Sequence, residues 1–537
     1  MSSEDVRAAK KAPQKERTKL TASDMAKQQR EISVSEFFTK NRHLLGFDNP
    51  RRALLTTVKE AVDNSLDACE EAGILPEVWV HLEQTNGDDR FRVRVRDNGP
   101  GIVQSQIPRI FGKLLYGSKF HRLKMSRGQQ GIGISAAGMY GHLTTGQPVT
   151  IVSKTDPGAD AHYYQIVINT KENEPQILKE QVVDWDAQQG TQVEIELEGT
   201  FQRGLWSVDE YLEQTAAANP HVTLHYRAPD GAEQDYERAT DVLPPEPRAI
   251  RPHPYGIELG TLIAMLQDTK ARTLQSFLHT DFCRVSKPAA LDICRRAGVY
   301  ENARPKRVAN AEVEKLLNAI HETKLRKPPM DCIVPIGKEL IEAGLRKHFD
   351  AGFYVSVTRP PAVYRGIPFV IEAGLAYGTG TQQEGASAKV MRFANRVPLL
   401  YNTGACAVTH AVTKLNWRQY SIEQSNGSMP TGPLLILVHM ASPWVPFTSE
   451  SKEAIAPYPE IEREIILAVQ ECARGLRRFL RGRRRRAEEQ RKREYIEKYI
   501  PHIGEALQDI LKFSDAERTR LNRKLTDVLE RSRGLPA

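Results

Sequence analysis

Between Arg51 and Ala72 the apolar residues Leu54, Leu55, Val58, Ala61, Val62, Leu66 and Cys69 recur every three or four positions. That is the period of one helix face, and Gly73 directly after it supplies a stop. Residues 78–82 and 91–95 then alternate apolar with polar across an Asn86-Gly87 pair, which predicts two strands joined by a tight turn. Strand-like alternation returns at 149–153, 163–169 and 191–197, so the first 230 or so residues read as an α/β sandwich, helices laid on one sheet.

The Pro-rich run LPPEPRAIRPHP at 243–254 breaks this pattern and predicts a linker. Short helices are expected over 259–297, a second mixed α/β unit from about 308 to 473, and a strongly charged helical tail after it. Residues 1 to about 30 are polar and Lys-rich, so structure is expected to start near Ile32. The resulting division is a flexible tail (1–30), a first α/β domain (31–240), a small helical domain (241–306), a second α/β domain (307–475) and a basic helical tail (476–537).

Composition narrows the class. With 537 residues, 40% hydrophobic and 26% charged, and a mean hydropathy of −0.47, the chain can bury several cores. It has no apolar run of about 18 residues and no signal-like N-terminus, so a cytoplasmic protein without membrane contact is expected. Its six cysteines are scattered, without a C-x-x-C pair, and read as reduced thiols rather than zinc ligands. The net charge of +8 is concentrated: eleven Arg or Lys against two Glu lie between Arg474 and Arg493, and the remainder is close to neutral. Such a patch suits either a solvated helix face or phosphate binding.

Three polar elements carry candidate chemistry. Glu60, Asn64 and Asp67 fall at i, i+4 and i+7 on the first predicted helix, with Asp63 in the same turn. Alone, this is an ordinary solvated face. Asp97-Asn98-Gly99-Pro100-Gly101 follows a strand, and its glycines permit close backbone approach to a ligand. Ser126-Arg127-Gly128-Gln129-Gln130-Gly131-Ile132-Gly133 precedes a helical run beginning near Ser135, where free backbone N–H groups can bind phosphate.

In this order the three elements resemble the GHKL ATPases, whose motif set is known as the Bergerat fold; no P-loop is present. The resemblance implies ATP lying on a sheet beneath a mobile lid at about 112–133, with Mg²⁺. It makes Glu60 the catalytic base that polarises the attacking water, Asn64 the magnesium ligand, and Asp67 a further member of the nucleotide site. Asp97 would accept from the adenine amino group, supported by Thr191 in Gly190-Thr191-Gln192-Val193, and Gly101 would let the base approach. Gly117, Ser118, Lys119, Gly128, Gln129, Gln130, Gly131, Ile132 and Gly133 would complete the nucleotide contacts from the lid.

Gyrase, MutL, ninety-kilodalton chaperones and sensor kinases share these motifs, so flanking sequence decides among them. The stretch from Phe111 to Ala137 (FGKLLYGSKFHRLKMSRGQQGIGISAA) is similar nearly residue for residue to the lid of topoisomerase VI B subunits, which are type IIB. HPYGIELGT from His253 to Thr261 resembles the opening of that family's helix-two turns-helix domain. The stretches from Arg359 to Gly366 and from Met391 to Leu400 resemble its transducer. The likeness covers roughly residues 30 to 475 and implies ATP-driven self-dimerisation, passage of double-stranded DNA, and an A2B2 assembly with a DNA-cleaving A subunit. One departure stands out. Where the family carries a lysine in W-K-x-Y that reaches the γ-phosphate, this chain reads Trp417-Arg418-Gln419-Tyr420, which gives Arg418 a catalytic and nucleotide-contacting role, with Lys414 and Gln424 as neighbouring alternatives. The runner-up function is a MutL-like or chaperone-like ATP-dependent clamp without strand passage.

Overall fold

The computed structural model describes residues 21–27, 29, 31–85, 87, 89–118, 122–128, 131–378 and 385–532. Its first long helix, Pro50–Glu71, starts where the Asn49 side chain accepts the Arg52 N–H and Pro50 occupies the first turn. Leu54, Val58, Val62 and Leu66 are buried as their spacing requires, but so are Lys59, Asp63 and Asp67 on the polar stripe. Apart from the exposed Asn64, that stripe is therefore not a solvated face, and its buried charges need partners inside the protein.

The helix packs on an eight-stranded sheet built from β1 (Glu77–Gln84), β2 (Arg90–Asp97), β3 (Val149–Lys154), β4 (Ala161–Asn169), β5 (Glu174–Val183), β6 (Gly190–Glu198), β7 (Thr223–Arg227) and β8 (Glu233–Tyr236). The order is β5-β4-β3-β6-β2-β1-β7-β8. Among the described residues of this sheet, only the β1–β7 pair is parallel. In β2 the residues Phe91, Val93 and Val95 are buried while the arginines between them are not, so alternation puts one face of the sheet against the helices. The helices Gly133–Thr145 and Val208–Ala218 complete that layer and share its core.

The Pro-rich segment has no regular structure, yet it is tied down: Arg248 N–H donates to Asp331 O (2.6 Å), Ile250 N–H to Leu123 O (3.1 Å) and His253 N–H to Gly366 O (2.7 Å). Beyond it the helices Leu259–Asp268, Leu274–Asp281, Lys287–Ala297 and Asn310–Glu322 share one core. The last of these extends the helical unit past residue 306, where the sequence suggested a boundary, because Val313, Leu316 and Ile320 point into that core rather than toward the second sheet.

The second sheet contains β9 (Phe353–Thr358), β10 (Ala362–Tyr364), β11 (Ile367–Tyr377), β12 (Lys389–Ala394), β13 (Val397–Pro398) and, after the small β14 (Glu423–Gln424) and β15 (Pro430–Thr431) pair, β16 (Leu434–Ala441). Its order is β10-β11-β16-β12-β13, with β9 next to β10 on the edge of β11 opposite β16. A 53-residue helix, Pro459–Leu511, buries Ile461, Ile465, Ala468, Val469, Cys472, Leu476 and Leu480 in this core, then runs on with its side chains almost entirely exposed. The basic tail is thus a continuation of the helix that packs on the sheet, not a separate element beginning at 476. The helix Asp515–Ser532 folds back on its end. All six cysteines are free and five are buried, and no described helix is long and apolar enough to cross a membrane.

Candidate nucleotide site

A cavity of about 520 Å³ opens between the Pro50–Glu71 helix, the ends of β2 and β6, the N-terminus of the Gly133–Thr145 helix and a segment of the second α/β unit. This is the size range of small-ligand sites. At one end the Asp97 carboxylate is fixed by Ser65 Oγ (2.8 Å), Gly99 N–H (3.0 Å) and Thr191 N–H (3.1 Å). Burial pushes its pKa up, against those three hydrogen bonds. The Thr191 hydroxyl lies 3.1 Å from Ser153 Oγ, and Gly101 holds φ +69° where a Cβ would overlap the Lys154 carbonyl. All three residues line the cavity.

At the other end lies Glu60. Its Oε1 is 3.3 Å from Lys59 Nζ, and a Cβ at Gly133 would overlap its Oε2. Burial acts to raise the Glu60 pKa, but the ammonium groups of Lys59 and then Lys452 outweigh it, so the group is held below its ordinary value. Asn64, one turn further along the helix, is exposed toward the cavity. Gly117, Ser118, Gly128, Gly131, Ile132 and Gly133 also line it, whereas Lys119, Gln129 and Gln130 lie outside the described residues.

Two expected site residues are elsewhere. Asp67 does not line the cavity: seven residues from Glu60 is about 10 Å along a helix, which carries it beneath the glycine-rich loop. There it accepts the N–H groups of Arg127 (3.3 Å) and Gly128 (3.1 Å) and pairs with the Arg127 guanidinium (3.1 Å). Its role is to hold the loop. Arg418 is exposed on the short Trp417–Tyr420 turn, with Nε donating to Gln424 O at 2.8 Å, and it does not line the cavity. The buried Trp417 anchors that turn and sends its neighbour outward. The alternatives are occupied too, since Lys414 pairs with Glu462 and the Gln424 side chain bonds to Trp417, Thr413 and Ser428.

The cation that does reach the cavity from the second unit is Lys452, to which no sequence motif pointed. It is buried, has φ +53°, and places Nζ 3.4 Å from the Arg127 carbonyl. A non-glycine residue in the left-handed region must be held there by its surroundings. Those are on either side: Arg52 grips Glu453 with two nitrogens at 2.5 Å, Arg52 Nη2 meets Ser451 Oγ at 3.3 Å, and Asn402 donates to Glu453 at 2.5 Å.

Comparison with known proteins follows the same division. Residues 49–200 match the family described as histidine kinase-, DNA gyrase B-, and HSP90-like ATPase, and residues 328–493 match the topoisomerase VI B subunit transducer. The B subunit of the type 2 DNA topoisomerase 6 of Methanococcoides burtonii is 50% identical over 491 residues, spanning 91% of this chain and 79% of that protein. The chain belongs to the topoisomerase VI B-subunit family. Another topoisomerase VI B subunit, from Archaeoglobus fulgidus, is 46% identical over 506 residues, covering 94% and 83% of the two chains. The ATPase region of Saccharomyces cerevisiae topoisomerase II aligns over 84% of this chain and 99% of its own at 9% identity and a TM-score of 0.39, a likeness too slight to add to the assignment. Most of the cavity lining falls in the part matched by the ATPase family, while Lys452 comes from the part matched by the transducer.

Proposed function

We propose that this chain is the ATP-hydrolysing B subunit of a type IIB DNA topoisomerase, working in the cytoplasm. ATP binding dimerises two B subunits and closes a gate on one duplex, while A subunits in an A2B2 assembly open a double-strand break in another. One observation carries this reading: the acid and amide of one helix, the adenine-type carboxylate Asp97, the glycine-rich loop and a lysine from the transducer converge on a single cavity.

In this reading Asp97 and Thr191 hold the adenine, and Gly128, Gly131 and the helix beginning at Gly133 offer backbone N–H groups to the phosphates. Glu60, ionised under the influence of two ammonium groups, orients the attacking water and takes its proton. The Asn64 side chain, an oxygen donor exposed at the phosphate end, suits Mg²⁺, which would be held by that oxygen, phosphate oxygens and water. When bound, the ion neutralises charge on the phosphates. Lys452 takes the γ-phosphate role that the sequence suggested for Arg418, so completing the site requires the transducer.

The test is relaxation of supercoiled plasmid by the full chain with its A subunit and Mg²⁺, with and without ATP, alongside Glu60→Ala. Relaxation that needs both subunits and ATP, and is lost in the variant, is expected. Nucleotide-driven dimerisation with no relaxation would instead support the MutL-like or chaperone-like clamp.

A further inference from the structure

Lys59 is a buried charge whose only part so far in the proposed chemistry is the positive charge it places beside Glu60. A lysine ordinarily threads its ammonium to water, and burying it is unfavourable unless it is paired. Here Nζ lies 3.3 Å from Glu60 Oε1 and 3.4 Å from Asp63 Oδ2, with the side chain only 11% exposed. Asp63 accepts the Tyr211 hydroxyl at 3.0 Å, and that hydroxyl also lies 3.5 Å from the Lys59 carbonyl. Tyr211 belongs to the Val208–Ala218 helix, whose first turn is capped by Ser207. A chain of polar contacts therefore runs from the core through Tyr211, Asp63 and Lys59 to one oxygen of Glu60, while Gly133 abuts the other oxygen.

We infer that Lys59 is a positioning residue for ATP hydrolysis: it fixes the rotamer of the Glu60 carboxylate and keeps it ionised, and is itself held by Asp63 and Tyr211. The inference rests on the reading of Glu60 as the general base. Lys59 does not touch the nucleotide and transfers no proton. The charged groups acting on Glu60 are Lys59, Asp63 and Asp67 from its own helix and Lys452 from the transducer. Asp63 feels Arg127 from the glycine-rich loop as well as Lys452, and Glu453 feels Lys59. Lys452 remains when Lys59 is removed, so Glu60 would lose part of its cationic environment rather than all of it.

The experiment compares Lys59→Gln, Lys59→Arg and Glu60→Gln in the full chain assembled with its A subunit and DNA, following kcat and KM for ATP across pH. An opposite charge at this distance lowers a carboxyl pKa by roughly 1 to 3 units. Lys59→Gln is therefore expected to move the acid limb of the kcat profile up by about one unit or more. It should also lower kcat at least tenfold with KM little changed, and Lys59→Arg should return the limb toward its original position. An unshifted limb in folded Lys59→Gln, with kcat either normal or uniformly reduced, overturns the inference. If Lys59→Gln does not fold, Lys59→Met with Asp63→Asn is compared with Asp63→Asn alone, so that only the lysine charge differs, and an unshifted limb between those two is equally fatal. Wild-type hydrolysis by Glu60→Gln would instead sink the reading of Glu60, a failure separable from that of Lys59 alone.

Discussion

At the scale of single residues, Gly133 and Lys452 define the working edge of the cavity. Because a Cβ at 133 would overlap the Glu60 carboxylate, Gly133→Ala must displace that carboxylate or the helix that carries it. A misplacement of about 1 Å can cost about 10²-fold in rate, so steady-state ATP hydrolysis by Gly133→Ala should fall by that order or more. Removing one preorganised donor to developing charge costs about 10²- to 10³-fold in kcat, and Lys452→Ala is expected in that range. Arg418→Ala, on the exposed turn, should leave ATP hydrolysis within about twofold, as surface changes away from special contacts usually do. A large loss with Arg418→Ala and none with Lys452→Ala in the same assay would reverse the assignment. That Asp97, Gly101, Thr191 and Glu60 would meet at one cavity was readable because each sits in a contiguous pattern of residue types. Lys452 was not, since its segment has no periodicity and its left-handed backbone is imposed by Arg52 and Asn402, far away in the chain. Arg418 misled because Trp417 marks a motif in sequence but a packing anchor in space.

At the scale of elements, Arg127 joins parts that would otherwise only touch. Its guanidinium meets Asp67 (3.1 Å), Glu70 (2.7 Å) and Asn219 (2.5 Å), while Asn219 also donates to Arg396 O and Asn395 to Ser126 O, so the loop is bound to both α/β units. Removing one partner from a buried ion pair costs about 3–5 kcal/mol. Arg127→Ala should lose that much, read as faster amide exchange in the Pro50–Glu71 helix and a lower denaturation midpoint. The same cluster makes the fold sensitive to acid. Burial holds His221 below its ordinary pKa despite the Glu70 carboxylate 2.7 Å away. A depressed folded pKa means the unfolded chain takes up the proton first, so this contribution is present above about pH 6.5 and is lost as pH falls below it. Glu70, held well below the carboxylate range by Arg127 against the effect of burial, keeps its contribution to far lower pH. Melting temperature should therefore begin to fall below about pH 6.5, and His221→Gln should blunt that first decline. Elements with one buried face were legible in the sequence. The edge strand β5 is exposed along nearly its whole length and offers no alternation to read, and the helix Asn310–Glu322 was read into the second α/β unit rather than the helical core.

At the scale of the molecule, charge and shape separate. The basic run lies on the exposed part of the Pro459–Leu511 helix, away from the core that anchors its first turns. If it meets DNA, replacing Arg483, Arg484, Arg485 and Arg486 with alanine should flatten the plot of log affinity against log salt by about 0.9 for each phosphate no longer neutralised. Fluorescence anisotropy on a duplex measures this, and an unchanged slope would leave the run a solvated face.

The same helix has a mechanical consequence. From Leu480, its last residue buried on the sheet, to Leu511 it extends about 46 Å at about 1.5 Å per residue. It is a lever arm with its fulcrum in the transducer core, so each degree of tilt there sweeps the tip about 0.8 Å at that length. Pro501 lies near the far end, where the returning Asp515–Ser532 helix braces the arm, so the expected weak point for bending is beyond most of the span. A rearrangement around Lys452 too small to disturb the packing of either core would thus reach whatever rests on the tip as a displacement of several ångströms.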